Sequence, residues 1–246
     1  MTIFEQLKRS WTITKKNLSV YFLRGPVIVF GIIMPAFLFI SFTLKRQIPI
    51  ESLIPGLLGM SLFFTVSSIT PGIMPWETKM RTLERIISSP IKLWAIILGD
   101  VISSFIYGSL ITTTIFLISS LFLEKLIINI PILLAKMLAA FCFSSLGELI
   151  SSIPTDNPAN AMMLSSLIKF PLVFISGIFV PVVEMENLKF ISFLSPLTYY
   201  TDLLRGYIEN KSYFTLATNL LVLFTFCVVF FVLAIILHKK NMPKRF

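Results

Sequence analysis

Asp100, Glu148 and Lys169 each fall inside a long apolar run. An ionisable side chain there costs several kcal/mol unless it is paired or hydrated. Counted from the nearer run ends, they lie at depths of roughly 10, 8 and 12 Å. Three such groups at one depth, on three helices, could tie helices together as a buried ion pair. They could equally line a water-filled path for a substrate or an ion, and the residues leave both readings open. Lys136 lies near enough to the end of its own run to snorkel out of the apolar layer.

Other chemistry is missing. No G-x-x-x-x-G-K-[ST] stretch occurs, so the chain cannot cradle ATP phosphates by itself. The single histidine, His238, stands beside Lys239 in the tail, which excludes a histidine zinc site and a Ser-His hydrolase. There is no G-x-S-x-G, and no paired aspartates of the kind that hold Mg²⁺ on a lipid pyrophosphate. No catalytic, metal or cofactor-binding residue is therefore assigned. Any energy source has to be a partner or an ion gradient.

The 246 residues are 56 % hydrophobic and 13 % charged, with a mean hydropathy of +0.88. A soluble domain carries about 25 % charged residues. This balance excludes a water-soluble enzyme and a disordered chain. Two cysteines, both deep in apolar runs, exclude a disulfide scaffold. A spanning helix needs about 20 apolar residues. Six stretches qualify: 26–44, 53–75, 93–121, 131–153, 161–183 and 214–237. Transmembrane strands would be about ten residues long and alternating. The fold read from this pattern is all-α, a single polytopic membrane domain over 1–246.

Lysine and arginine set the orientation. Thirteen of them lie in 1–25, 76–92 and the tail, against six on the opposite side that are matched by six acids. Both termini are thus expected in the cytoplasm. Trp11, Trp76 and Trp94 fall at the cytoplasmic boundaries, where indoles settle. The net charge of +9 is a topology signal facing anionic lipid, not a nucleic-acid footprint.

Three segments are not spans. In 1–25, Ile3, Phe4, Leu7, Trp11, Leu18 and Tyr21 recur at helical spacing, which suits a helix lying on the membrane. The stretch 76–92 ends in Ser88-Ser89-Pro90 and puts Leu83, Ile86 and Ile87 on one face of a short charged helix. Such a helix can dock into a groove of another protein, or be a solvated turn supplying positive charge. Segment 184–213, split at Ser195-Pro196, suggests two amphipathic helices at the outer interface.

Four ordered passages resemble the permease subunit of ABC-2-type transporters, the drug- and polysaccharide-export class of ABC exporter. Pro55-Gly56-Leu57-Leu58-Gly59-Met60-Ser61 is similar to the family's opening of the second span. Glu77 through Pro90 resembles its E-(x)₂-R-G-T-L-E-x-(x)₃-[ST]-P loop. Asp156-Asn157-Pro158-Ala159-Asn160-Ala161, with Phe170-Pro171-Leu172 and Ser176 to Pro181, looks like its fifth-span region. Ser195-Pro196-Leu197-Thr198-Tyr199-Tyr200, followed by Leu204-Arg205-Gly206, is similar to its outer-loop pattern. One departure is Arg81, where the family has glycine; arginine favours continuing the helix where glycine breaks it.

The resemblance implies a six-span subunit working as a dimer, with itself or a sister permease, beside two separate ATP-binding subunits that hold ATP and Mg. It implies that Glu77, Arg81, Thr82, Leu83, Glu84, Arg85, Ser89 and Pro90 form the coupling contact with the ATPase, and that segment 1–25 is an elbow helix. It further implies that 184–213, with Pro196, Tyr199, Tyr200 and Arg205, forms outer re-entrant helices. The expected function is export of a hydrophobic or amphipathic substrate across a prokaryotic plasma membrane. The alternative is an ATP-independent channel or lipid scramblase using the Asp100, Glu148, Lys169 layer; an anchoring subunit without transport is a third reading.

Overall fold

Helix formation follows the apolar runs, and departures occur where a proline, a positive φ or a polar stripe intervenes. The computed structural model describes residues 2–21, 25–29, 33, 36–37, 40–41, 50–122, 129–155, 157–185 and 189–245. The expected span at 26–44 lies almost wholly outside the described residues. Nine helices are labelled here: α1 (Ile3–Tyr21), α2 (Ile50–Ser67), α3 (Thr70–Lys79), α4 (Leu83–Ser88), α5 (Leu93–Phe122), α6 (Ile130–Ser151), α7 (Pro158–Ile175), α8 (Pro196–Ile208) and α9 (Leu216–Asn241). No strand occurs among the described residues, so the all-α reading stands. Five stretches among them are long and apolar enough to cross a membrane: Ser52–Lys79, Leu93–Ile118, Ile130–Ser151, Pro158–Ile175 and Leu216–Asn241.

The boundaries differ from those read off the sequence in three places. The stretch expected at 53–75 runs on to Lys79 as two stacked helices, α2 and α3. Between them Ser67 and Ser68 turn their hydroxyls back onto the Phe63 and Phe64 carbonyls, each at 2.5 Å, and Pro71 cannot donate to the α2 ladder. The helix expected at 161–183 starts earlier, at Pro158, because Asn157 caps it through Oδ1 to the Ala159 N–H at 3.0 Å. It also ends earlier, at Ile175, because Gly177 takes φ +77°, which a continuing helix forbids. The last helix, expected to stop at Leu237, continues to Asn241.

α6 is the central post, touching α9, α5, α2 and α3 along its length, while α8 packs across α2, α9 and α6. The core between α2, α6 and α8 holds Phe63 edge-on to Phe143 at 5.0 Å and Phe143 edge-on to Tyr200 at 6.5 Å. α9 is the opposite case, with only 17 % of its apolar window buried.

α1 has the amphipathic build expected, with one inversion. Ile3, Phe4, Leu7 and Trp11 face outward, as lipid contact requires. The face against the protein is polar: Gln6, Ser10, Thr14 and Asn17 are buried, one helical turn apart. Tyr21, expected on the outward face, is buried and stacked on Trp76 at 5.4 Å. Gly99 of α5 makes this close approach possible, because a Cβ there would lie 2.8 Å from both the Ser10 carbonyl and Ile13.

Candidate coupling surface and intramembrane polar network

The turn from α3 into α4 is organised by one buried carboxylate. Glu77, on the last turn of α3, accepts from Tyr21 Oη at 2.6 Å, and pairs with Lys16 and the Thr82 hydroxyl. The chain reverses through Met80 and Arg81, the latter in the left-handed region at φ 53°. Arginine therefore makes the break that glycine would make, against the expectation that it prolongs the helix; the closing bonds Arg81 N–H to Thr78 O and Thr82 N–H to Glu77 O, both 3.0 Å, hold it there. At the far side of α4, Gln6 of α1 closes the loop again, donating to the Pro90 carbonyl at 3.3 Å and accepting from the Lys92 N–H at 2.8 Å. Both ends of the 76–92 segment are thus stapled to α1.

The apolar stripe expected on α4 does not form. Leu83 is 1 % exposed, packed with Met74 and Ile96, and Ile86 leans on the same cluster. Ile87 points outward instead, because the seat made by Met74 and Ile96 takes in only Leu83 and Ile86. The exposed face holds Met80, Arg81, Glu84, Arg85, Ile87, Ser89 and Pro90. Glu77 and Leu83 are internal and Thr82 half-buried, so these position the loop while the others present it.

Asp100, Glu148 and Lys169 make no hydrogen bond or ion pair with one another, although Glu148 lies near enough for its charge to act on Asp100. Asp100 accepts from Asn17 Nδ2 of α1 at 2.6 Å. Glu148 meets His238 of α9, whose Nε2 lies 3.0 Å from Oε1 and 3.1 Å from the Glu148 carbonyl oxygen. Lys169 donates to Ser68 Oγ at the α2–α3 break, at 3.1 Å. All three are buried. Lys136 does not snorkel either: it is 4 % exposed and donates inward to the Ser109 carbonyl at 3.2 Å and to the Thr113 hydroxyl.

His238 is the residue that sequence reasoning misplaced. It is 1 % exposed inside the bundle, not in a solvated tail. The signal was its register, four residues after Ala234 and eleven after Cys227, both on the buried face of α9.

At the other end of the bundle, Pro196 opens α8, Tyr199 donates to the Phe193 carbonyl at 3.0 Å, and Tyr200 is buried in the core. Arg205 donates to the Ile178 and Gly177 carbonyls at 2.8 and 3.3 Å and to Glu209 at 3.0 Å, sealing the end of α7. Burial draws its guanidinium below the ordinary arginine value, opposed chiefly by Glu209. Asp202, which no motif pointed to, accepts from Tyr213 N–H (2.8 Å), Phe214 N–H (3.1 Å), Ser212 Oγ (2.9 Å) and Asn219 Nδ2 (3.0 Å). It moors the whole 209–215 connection.

A family model described as ABC-2 type transporter matches residues 4–208. The chain belongs to the ABC-2 type transporter family. It is a multi-pass membrane protein and the permease component of an ABC system. No curated protein matches it at a significant level. The match covers α1 through α8 in order and stops before α9, so the partner that α9 supplies to Glu148, His238, lies outside it. ABC-2 permeases generally work with an ATP-binding subunit.

Proposed function

We propose that this chain is the membrane subunit of an ATP-driven exporter in a prokaryotic plasma membrane, with both termini in the cytoplasm. It works as a dimer, with itself or a sister permease, and binds a separate ATP-binding subunit through the 76–92 segment. One observation carries the reading: α4 is anchored by Leu83 on its inner side and stapled at both ends to α1, which leaves Met80, Glu84, Arg85 and Ile87 as a short mixed face exposed among the described residues. A force on that face passes through Glu77 into α3 and through Lys16, Tyr21 and Gln6 into α1, so three elements move as one. ATP-driven closure of the partner then shifts the bundle between inward- and outward-open populations.

A hydrophobic or amphipathic cargo suits an interior whose charged groups are mostly taken up by one another or by amides and hydroxyls. The alternative, an ATP-independent channel or scramblase, needs a shared hydrated layer of Asp100, Glu148 and Lys169; each is instead engaged by a partner of its own, Asn17, His238 and Ser68, which favours the exporter.

The test is purification from the native host in mild detergent. A P-loop ATPase should co-purify in stoichiometric amount with the wild type and be lost with Ile87→Asp and with Glu84→Lys. Recovery of the chain alone under several gentle detergents, or unchanged co-purification with both variants, would overturn the coupling assignment.

A further inference from the structure

Where α1 meets α5, a buried carboxyl has too few donors. Asp100 is 1 % exposed; its Oδ1 accepts from Asn17 Nδ2, while its Oδ2 has no partner. Asn17 is 2 % exposed, and its Oδ1 has no partner either. The two partnerless atoms are both acceptors. Neither can satisfy the other while Asp100 is ionised. One added proton supplies the missing donor: Oδ2–H can then donate to the Asn17 carbonyl and close a reciprocal acid–amide pair.

The surrounding charges point the same way. From α1 come Lys16 and Tyr21, both engaged by Glu77 of α3. From α6 comes Glu148, a buried carboxyl whose charge has the same sign. From α9 comes His238, which sits on Glu148. α2 has no titratable side chain between Ser52 and Ser67, and Lys169 of α7 bonds to Ser68. Glu77 therefore has Lys16 as an ion-pair partner and Glu148 has the His238 ring at 3.0 Å, while Asp100 has only the Asn17 amide. An unpaired carboxylate out of water takes up a proton rather than bear that cost.

We propose that Asp100 and Asn17 form a proton-binding site, in which a proton taken from solvent rests on Asp100 Oδ2 and clamps α1 to α5. Its loss leaves the Asp100 and Asn17 oxygens without a donor between them and restores a second negative charge near Glu148, so α1 loosens from its seat at Gly99. Because Gln6, Lys16 and Tyr21 also staple α1 to the 76–92 segment, the bound proton sets how firmly that segment is held.

The experiment uses the purified full chain in phosphatidylcholine nanodiscs. Infrared difference spectra through a pH titration should show the C=O stretch of a protonated carboxyl at neutral pH. That band should vanish in Asp100→Asn, shift in Asn17→Leu and persist in Glu148→Gln. Hydrogen exchange of α1 amides, corrected for intrinsic rates, should speed up roughly tenfold as the wild-type band titrates away. In Asp100→Asn, which keeps the shape of the protonated acid and is expected to fold, α1 protection should not respond to pH. A neutral-pH spectrum that Asp100→Asn leaves unchanged overturns the site. The same α1 pH response in wild type and variant overturns the clamp. A band that emerges only when choline replaces sodium assigns the site to a metal cation and overturns the proton.

Discussion

Two buried aspartates, at opposite ends of the bundle, are treated in contrary ways. Asp202 accepts from two backbone N–H groups, a hydroxyl and Asn219, and both its oxygens are occupied. Asp100 receives one bond, from Asn17, and keeps one bare oxygen. The amide carbonyl of Asn219 is partnerless like that of Asn17, but at Asp202 no free carboxyl oxygen is left to take a proton. A carboxylate saturated by donors is a mooring, stable as an anion. One with a single neutral donor is poised to change its protonation. The end that holds α8 is built to stay put, and the end that holds α1 is built to give.

The largest effect should come from cutting the mooring. Asp202→Ala removes four acceptor contacts at once and leaves the buried Asn219 amide and the part-buried donors of 212–214 without their acceptor, a loss of about 3 kcal/mol. For a chain of this length that lowers the thermal midpoint by roughly 10 °C. Asp100→Asn should stay within about 1 kcal/mol of wild type, since asparagine copies the neutral acid in shape. Equal losses for the two variants in a thermal unfolding series would erase the contrast between the ends.

A second contrast lies within the 76–92 segment. Leu83→Ala empties a buried site among Met74 and Ile96 and should cost about 2–3 kcal/mol. Ile87→Asp, on the outward face, should change stability by less than about 0.5 kcal/mol while removing partner-stimulated ATP hydrolysis. Measuring both quantities on both variants separates the residue that seats the helix from the residue that presents it. A stable Leu83→Ala chain would place the seat elsewhere.

These contrasts mark what could be read in advance. The apolar runs were legible because a bilayer imposes length in one dimension, so 93–121 and 131–153 nearly coincide with α5 and α6. The facing of side chains was not, because it depends on what lies opposite. Leu83, Ile86 and Ile87 share an arc on a helical wheel, but Met74 and Ile96 draw in only the first two. Gln6, Ser10, Thr14 and Asn17 recur at helical spacing, yet a polar stripe reads as a water-facing side until Gly99 and Asp100 are seen beneath it. His238 follows an apolar run and precedes two lysines, so composition sends it to the tail while register sends it to Glu148. Asp202 had no motif because half of its donors are backbone amides, which any residue supplies.

The smallest expected effect concerns Arg81. Its left-handed φ of 53° strains any residue with a Cβ, by about 1–2 kcal/mol, and its side chain is exposed. Arg81→Gly relieves that strain but gains chain entropy in the unfolded state, which offsets part of it. The expected net is a gain of about 0.5 kcal/mol, or roughly 2 °C in thermal midpoint. Co-purification of the ATPase should persist, because the turn keeps its bonds to Thr78 and Glu77 whichever residue occupies it. A fall in midpoint would mean that the arginine head group, not the turn, steadies this corner. A preserved midpoint with the ATPase lost would instead put Arg81 itself in the contact, sharpening the division between the seat and the presented face.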